Sequence, residues 1–290
     1  MNRLERPNFF DDHVALAALA NNRRVGSYPE LLDHVAQIGA GYTQYVAVNG
    51  DATAVAPVLL PGPIATFLKG HYGSPPQDIG YIKEIRRRGG VSTCPMCGSM
   101  HSGTLDHVLD KDGYPAFAIF GLNLVPACKC NSLRGTALIG PNPGERILHP
   151  YFDDVLAERI LAARFEDLGL IPRVSLRVLL DPADPRYAGV RFHVRNVVER
   201  TQITDYLRRQ WTMLIKRPSR LTTDLRHDPS TLDALKEILA RELERLDDVH
   251  DGKNNWNSIF MAGLLDDEVV DWLYDKFSRP DRVPNSPLVF

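Results

Sequence analysis

Four cysteines are the only ones in the chain, and they fall in two close pairs, Cys94-x-x-Cys97 and Cys128-x-Cys130. Close thiolate pairs supply the soft tetrahedral donor set that zinc prefers, and a cytosolic chain uses cysteines at such spacing for metal more often than for disulfides. The expectation is a structural zinc site that staples two separate stretches into one small module. With one residue between Cys128 and Cys130, the spacing leaves two closures open. Four sulfurs complete the site, or three do, with His101 or water in the fourth place.

The stretch between the pairs holds more than a knuckle. Residues 94–135 read CPMCGSMHSGTLDHVLDKDGYPAFAIFGLNLVPACKCNSLRG, with an Asp-His dipeptide at Asp106-His107, Asn123 in LNLVPAC and Asn131 directly after Cys130. This stretch closely resembles the HNH endonucleases, whose ββα-metal core is built from a hairpin carrying Asp-His, a loop with a central Asn, and a short helix. His107, Asn123 and Asn131 stand at the three signature positions, the last with Asn where many relatives have His. Arg134-Gly135 matches the basic residue and glycine that follow the third position. The second cysteine pair departs from the family's usual Cys-x-x-Cys by one residue.

The resemblance implies hydrolysis of phosphodiester bonds, a reaction that needs an activated water and stabilisation of the leaving oxygen. His107 is the expected general base, since imidazole titrates near neutral pH. Asp106 and Asn131 are the expected oxygen ligands of one catalytic Mg²⁺ or Mn²⁺. Asn123 is expected to brace the loop, a positional role. If four thiolates close the zinc site, His107 has no place among its ligands.

Composition bounds the rest. With 290 residues and 44% apolar content, the chain can build a sizeable core or two modest domains. A formal net charge of −2 excludes a dedicated nucleic-acid coat, so contact with DNA phosphates must come from local basic patches. The candidates are Arg86-Arg87-Arg88 before the first cysteine pair, with Lys83 nearby, and Lys111 and Lys129 within the module. A later cluster holds Arg208, Arg209, Lys216, Arg217 and Arg220. Any single run of this kind is also a solvated helix face. No membrane segment or targeting sequence is expected, because acidic residues precede the short apolar VALAALA and prolines break AVAPVLLPGPIATFL; the expected compartment is the cytoplasm.

Three regions are expected: a mostly helical segment 1–90, the HNH module 91–142, and a mostly helical region 143–290 with a short strand pair. The fold class is α+β, a mainly helical chain with the zinc-stapled ββα-metal module embedded in it. Pattern predicts helices at Tyr28–Gly39, Pro63–Tyr72, Asp78–Arg88, Asp153–Asp167 and Gln202–Lys216. It also predicts a helix from Thr231, with a capping box from Ser230 to Asp233, and one at Leu264–Phe277. Val174–Leu180 and Val190–Arg195 alternate well enough to pair as strands across the turn-rich DPADPRYAG. The stripe Leu232, Leu235, Ile238, Leu239, Leu243, Leu246 suits packing on its own domain or, less commonly, a homo-oligomer seam. GERILHPYFDD, Asn254-Asn255-Trp256 and the last helix resemble one bacterial subfamily of stand-alone HNH proteins, so the likeness spans residues 60 to 275. That resemblance implies an ATPase partner and a role in anti-phage defence or restriction.

The expected function is therefore a metal-dependent DNA endonuclease. Its rivals are a catalytically silent zinc module that binds nucleic acid or a partner protein, and a nuclease directed at RNA.

Overall fold

The computed structural model describes residues 1–88 and 93–289, Arg88 by its backbone alone. The order of elements is α1 (Asp12–Asn21), α2 (Val35–Ala47), α3 (Gly62–Gly73), α4 (Tyr81–Arg88), β1 (Thr104–His107), β2 (Leu124–Ala127), α5 (Cys130–Arg134), β3 (Leu161–Glu166), β4 (Arg173–Val178), α6 (Tyr187–His193), α7 (Ile203–Lys216), α8 (Leu232–Val249), α9 (Trp256–Leu264) and α10 (Asp267–Phe277). The fold is α+β, about half helical, and the described residues hold two antiparallel strand pairs, β1–β2 and β3–β4. No helix among the described residues is long and apolar enough to cross a membrane.

Two apolar cores organise the chain. The first joins the N-terminal helices to the cysteine-containing stretch: Leu16, Tyr42, Tyr45, Leu68 and Ile82 share it with Leu105, Phe117 and Val125. The second gathers β3, β4 and the last helices around Trp211, Phe260 and Leu273. The leucine stripe of α8 turns Leu235, Leu239 and Leu246 into this second core, so the stripe packs on its own chain. Thr231, not Ser230, caps that helix, its hydroxyl accepting from the Ala234 N–H.

Several elements differ from expectation, each for a local reason. The predicted Tyr28–Gly39 helix is a 3₁₀ turn, Glu30–His34, followed by α2, which continues to Ala47 because Ile38, Tyr42 and Tyr45 keep one buried face. The predicted Asp153–Asp167 helix is a short 3₁₀ turn at Asp154–Ala157 and then β3, whose register runs Leu161 opposite Val178 to Glu166 opposite Arg173. The apolar run ILAARF fits a strand or a buried helix equally, and pairing with β4 decides it. The predicted strand Val190–Arg195 is instead α6 and a π turn, Val194–Val198. Its residues Val190, Val194, Val197 and Val198 recur at helical spacing and are all buried. β4 therefore takes its partner from before it in the chain. The expected last helix, Leu264–Phe277, is α10, and a helix not expected from pattern, α9, precedes it, the two divided at Leu265–Asp266.

Candidate functional site

The four cysteines converge. Their Sγ atoms all lie within 4.8 Å of one another, and no histidine belongs to this group among the described residues. Cys94 and Cys130 stand 3.7 Å apart and Cys97 and Cys128 stand 3.4 Å apart, well outside disulfide bonding. Four Zn–S bonds of about 2.3 Å at tetrahedral angles set sulfur separations of about 3.8 Å, so this quartet has the size of a zinc site. The one-residue gap is accommodated because Cys130 already lies in the first turn of α5 while Cys128 precedes it. The N–H groups of Cys128 and Cys130 donate to the sulfurs of Cys94 and Cys128, each at 3.3 Å. Proximity to Cys130 first, then to Cys94 and Cys97, drives the Cys128 thiol far below its usual range, while proximity to Cys128 first, then to Cys94 and Cys97, pushes Cys130 up. Four thiols crowded this way favour losing protons to a metal.

The knuckle is tied to distant parts of the chain through its carbonyls. Pro95 O accepts from the Asn2 N–H at 3.2 Å, Met96 O from His193 Nε2 at 2.7 Å, Cys97 O from Trp256 Nε1 at 2.9 Å, and Gly98 O from the Trp256 N–H at 2.9 Å. His193 Nδ1 accepts from the Leu148 N–H, which fixes the proton on Nε2. Gly98 has φ +78°, and a Cβ there would come within 2.2 Å of Asn254 O, so conformation and space both require glycine.

Beside the knuckle, β1, the loop after it, β2 and α5 form a ββα unit. β1 pairs with β2 so that Asp106 faces Val125 and His107 faces Leu124. Asn123 is fully buried: its Oδ1 accepts from the Leu109 N–H at 2.8 Å, and its Nδ2 donates to Leu109 O and Phe117 O, each at 3.0 Å. The Tyr45 hydroxyl on α2 reaches the same Oδ1 at 3.4 Å, which anchors the loop to the first core. Asn123→Ala would strand two Leu109 groups and Phe117 O in a dry interior, at about 1–3 kcal/mol each. A drop in stability of about 3 kcal/mol or more in denaturant melts is expected, and a change below about 1 kcal/mol would remove Asn123 from this bracing role.

His107 is 5% exposed, with Nε2 held 2.9 Å from Ala118 O. A carbonyl only accepts, so Nε2 carries the proton and Nδ1 keeps its lone pair. Burial lowers the imidazole's pKa below its ordinary value, which favours the neutral ring. The His107 carbonyl accepts from Asn131 Nδ2 at 3.0 Å and Arg134 Nη2 at 3.2 Å, while Arg134 Nη1 takes Val108 O. α5 thereby clamps the end of β1. Gly135, at φ +62°, ends α5 in a conformation that L side chains rarely adopt.

A groove of about 390 Å³ opens over this unit, lined by Asp106, His107, Lys111, Asn131, Arg134 and Tyr72 among others. Asp106 Oδ1 accepts from the His107 N–H at 2.9 Å, leaving most of the carboxylate's acceptor sites for other partners. Asn131 Oδ1 is buried with no hydrogen-bond partner. An orphaned amide oxygen and a carboxylate on residues lining one groove are hard donors of the kind that suits an oxygen-seeking divalent cation.

The expected basic residues separate. Arg86 is exposed on α4, its guanidinium 5.9 Å from the Tyr72 ring centroid, and Lys111 lines the groove. Arg87 is tied to Glu84 on its own helix, 2.6 Å away. The Arg88 side chain lies outside the described residues. Lys129 is exposed just before α5 and does not line the groove, and His101 is exposed and apart from the sulfurs. Tyr72, which the sequence reading passed over, enters the groove from α3; no motif marks it, only its place at the end of an amphipathic helix.

No family model matches the chain, and no solved structure matches it. Over 62 residues it is 34% identical to Protein ea31 of Escherichia phage lambda. That stretch is 21% of this chain and 21% of the phage protein, so the similarity covers about a fifth of each.

Proposed function

We propose that the chain is an HNH-type endonuclease that hydrolyses DNA phosphodiester bonds with a divalent cation, its zinc serving as a structural staple. The observation that carries the reading is the convergence of Asp106, His107 and Asn131 on one groove of a ββα unit beside four clustered cysteines. Asp106 and the unpartnered Asn131 Oδ1 would hold the Mg²⁺ or Mn²⁺. When bound, such an ion supplies charge stabilisation to the phosphate and leaving oxygen. His107, neutral and protonated at Nε2, offers Nδ1 to take a proton from the attacking water, and its bond to Ala118 O steadies the ring. Asn123 and Arg134 keep β1 at its angle.

The test is metal-dependent cleavage of duplex DNA compared with single-stranded DNA and RNA. Hydrolysis of duplex DNA that needs the cation supports the reading. Preference for RNA would move the substrate class, and binding without hydrolysis of any of the three would make the unit a non-catalytic zinc module.

Charge at the rim gives a further expectation. Arg86 carries no ion pair among the described residues, whereas Arg87 is held by Glu84. Arg86→Gln should therefore weaken binding to all DNA sequences alike and flatten the slope of log affinity against log salt by about 0.9, the value of one phosphate contact. Arg87→Gln should change it less. Equal effects from the two, measured by fluorescence anisotropy across a salt series, would contradict this division.

A further inference from the structure

One side chain in the groove comes from outside the ββα unit and touches three of its working parts. Tyr72 sits in the last turn of α3, and its ring centroid lies 4.3 Å from that of His107, at an interplanar angle of 58°. Its hydroxyl donates to Leu105 O on β1. Carbonyls two residues apart in a strand face the same side. The outer edge of β1 is thus held at Leu105 by Tyr72 and at His107 by Asn131 and Arg134. The committed hydroxyl leaves Tyr72 no part as a proton donor in the reaction.

The ring also gathers charge. Arg86 approaches its centroid at 5.9 Å and Lys111 Nζ at 5.5 Å, both within cation–π reach of about 6 Å. Neither cation is paired with a carboxylate among the described residues, while the neighbouring Lys69 is spent on Asp112 at 2.9 Å. Asp110, which also lines the groove, commits one oxygen to the N–H groups of Asp112 and Gly113. Two cations held near one aromatic ring beside the proposed base, neither in an ion pair among the described residues, can meet an anion at the rim of a groove that Asp106, Asp110 and Asp112 also line.

We propose that Tyr72 is a positioning residue, whose ring fixes His107 and gathers Arg86 and Lys111 into a clamp for a backbone phosphate adjoining the one cut. The clamp rests on the nuclease reading above. It predicts that removing an uncharged ring changes an electrostatic quantity.

The experiment uses zinc-loaded full-length protein. It measures kcat for plasmid nicking with Mg²⁺ and the salt dependence of binding to a labelled DNA duplex without it. Tyr72→Leu should lower kcat at least tenfold and flatten the salt slope by about 0.9 or more, although no charge is lost. Tyr72→Phe, which keeps the ring, should recover most of both losses relative to Tyr72→Leu. A ring that only packs would move the melting temperature and leave the slope alone, so folded Tyr72→Leu with a wild-type slope overturns the clamp. If Tyr72→Leu does not fold, the pair Arg86→Gln and Lys111→Gln takes its place. That pair should flatten the slope by about 1.8, two contacts' worth, and an unchanged slope overturns the proposal. A wild type that neither binds nor cuts overturns the nuclease reading and the clamp with it; one that does both while Tyr72→Leu matches it overturns the clamp alone.

Discussion

If the four-cysteine cluster holds zinc, as proposed, stripping the metal is expected to unfold much of the protein and not only the knuckle. A structural zinc site contributes on the order of 10 kcal/mol of apparent folding energy, comparable to the whole stability of a typical domain. Here the loss would spread along two routes. The carbonyls of residues 95–98 accept from Asn2, His193 and Trp256, so the second core is fastened to the knuckle. Cys94, Cys97 and Cys130 are themselves members of the first core. Cys97→Ser should act as chelation does, since three sulfurs and a hydroxyl make a poorer site. Elemental analysis should find one zinc per chain, and thermal melts should fall steeply when a chelator is added. Zinc-free protein that melts at the same temperature with and without chelator would mean that the cysteines do something else.

The stretch between the cysteine pairs was the most legible part of the sequence because its signals are short and local. Asp106-His107, Asn123 and Asn131 each carry a residue type with a definite chemical use, and each lies within or against a ββα unit, the local arrangement that the resemblance implied. The four-sulfur cluster was legible down to its one ambiguity, which the start of α5 at Cys130 resolves in favour of four sulfurs. Elsewhere the local pattern underdetermined the fold. Residues 190–198 satisfy a period of two and a period of 3.6 at once, and only packing against the second core selects the helix. Residues 161–166 become a strand through pairing with residues 173–178, a contact that no composition rule encodes. Tyr72 was invisible for the same reason: its place beside His107 and Leu105 arises from where the end of α3 packs, a tertiary fact.

On the proposed nuclease reading, replacing His107 by Ala should reduce cleavage by about 10²–10⁴-fold, the contribution of a positioned general base. The ring is packed between Tyr72 and Ala118 O, so a modest fall in melting temperature should accompany the loss, and retained zinc content is the control for folding. Asp106→Ala should lose activity for a different reason, weaker holding of the catalytic cation. Raising Mg²⁺ or Mn²⁺ should partly restore it, whereas no concentration of metal should restore His107→Ala.

The most direct measurement is nicking of supercoiled plasmid by zinc-loaded wild type and His107→Ala, each with Mg²⁺, with Mn²⁺ and with neither. The nuclease account predicts nicked product from wild type only when the divalent cation is present, and a rate at least a hundredfold lower from His107→Ala, as loss of a general base requires. Nicking by His107→Ala at the wild-type rate, or no nicking by folded, zinc-loaded wild type with either cation, would contradict it.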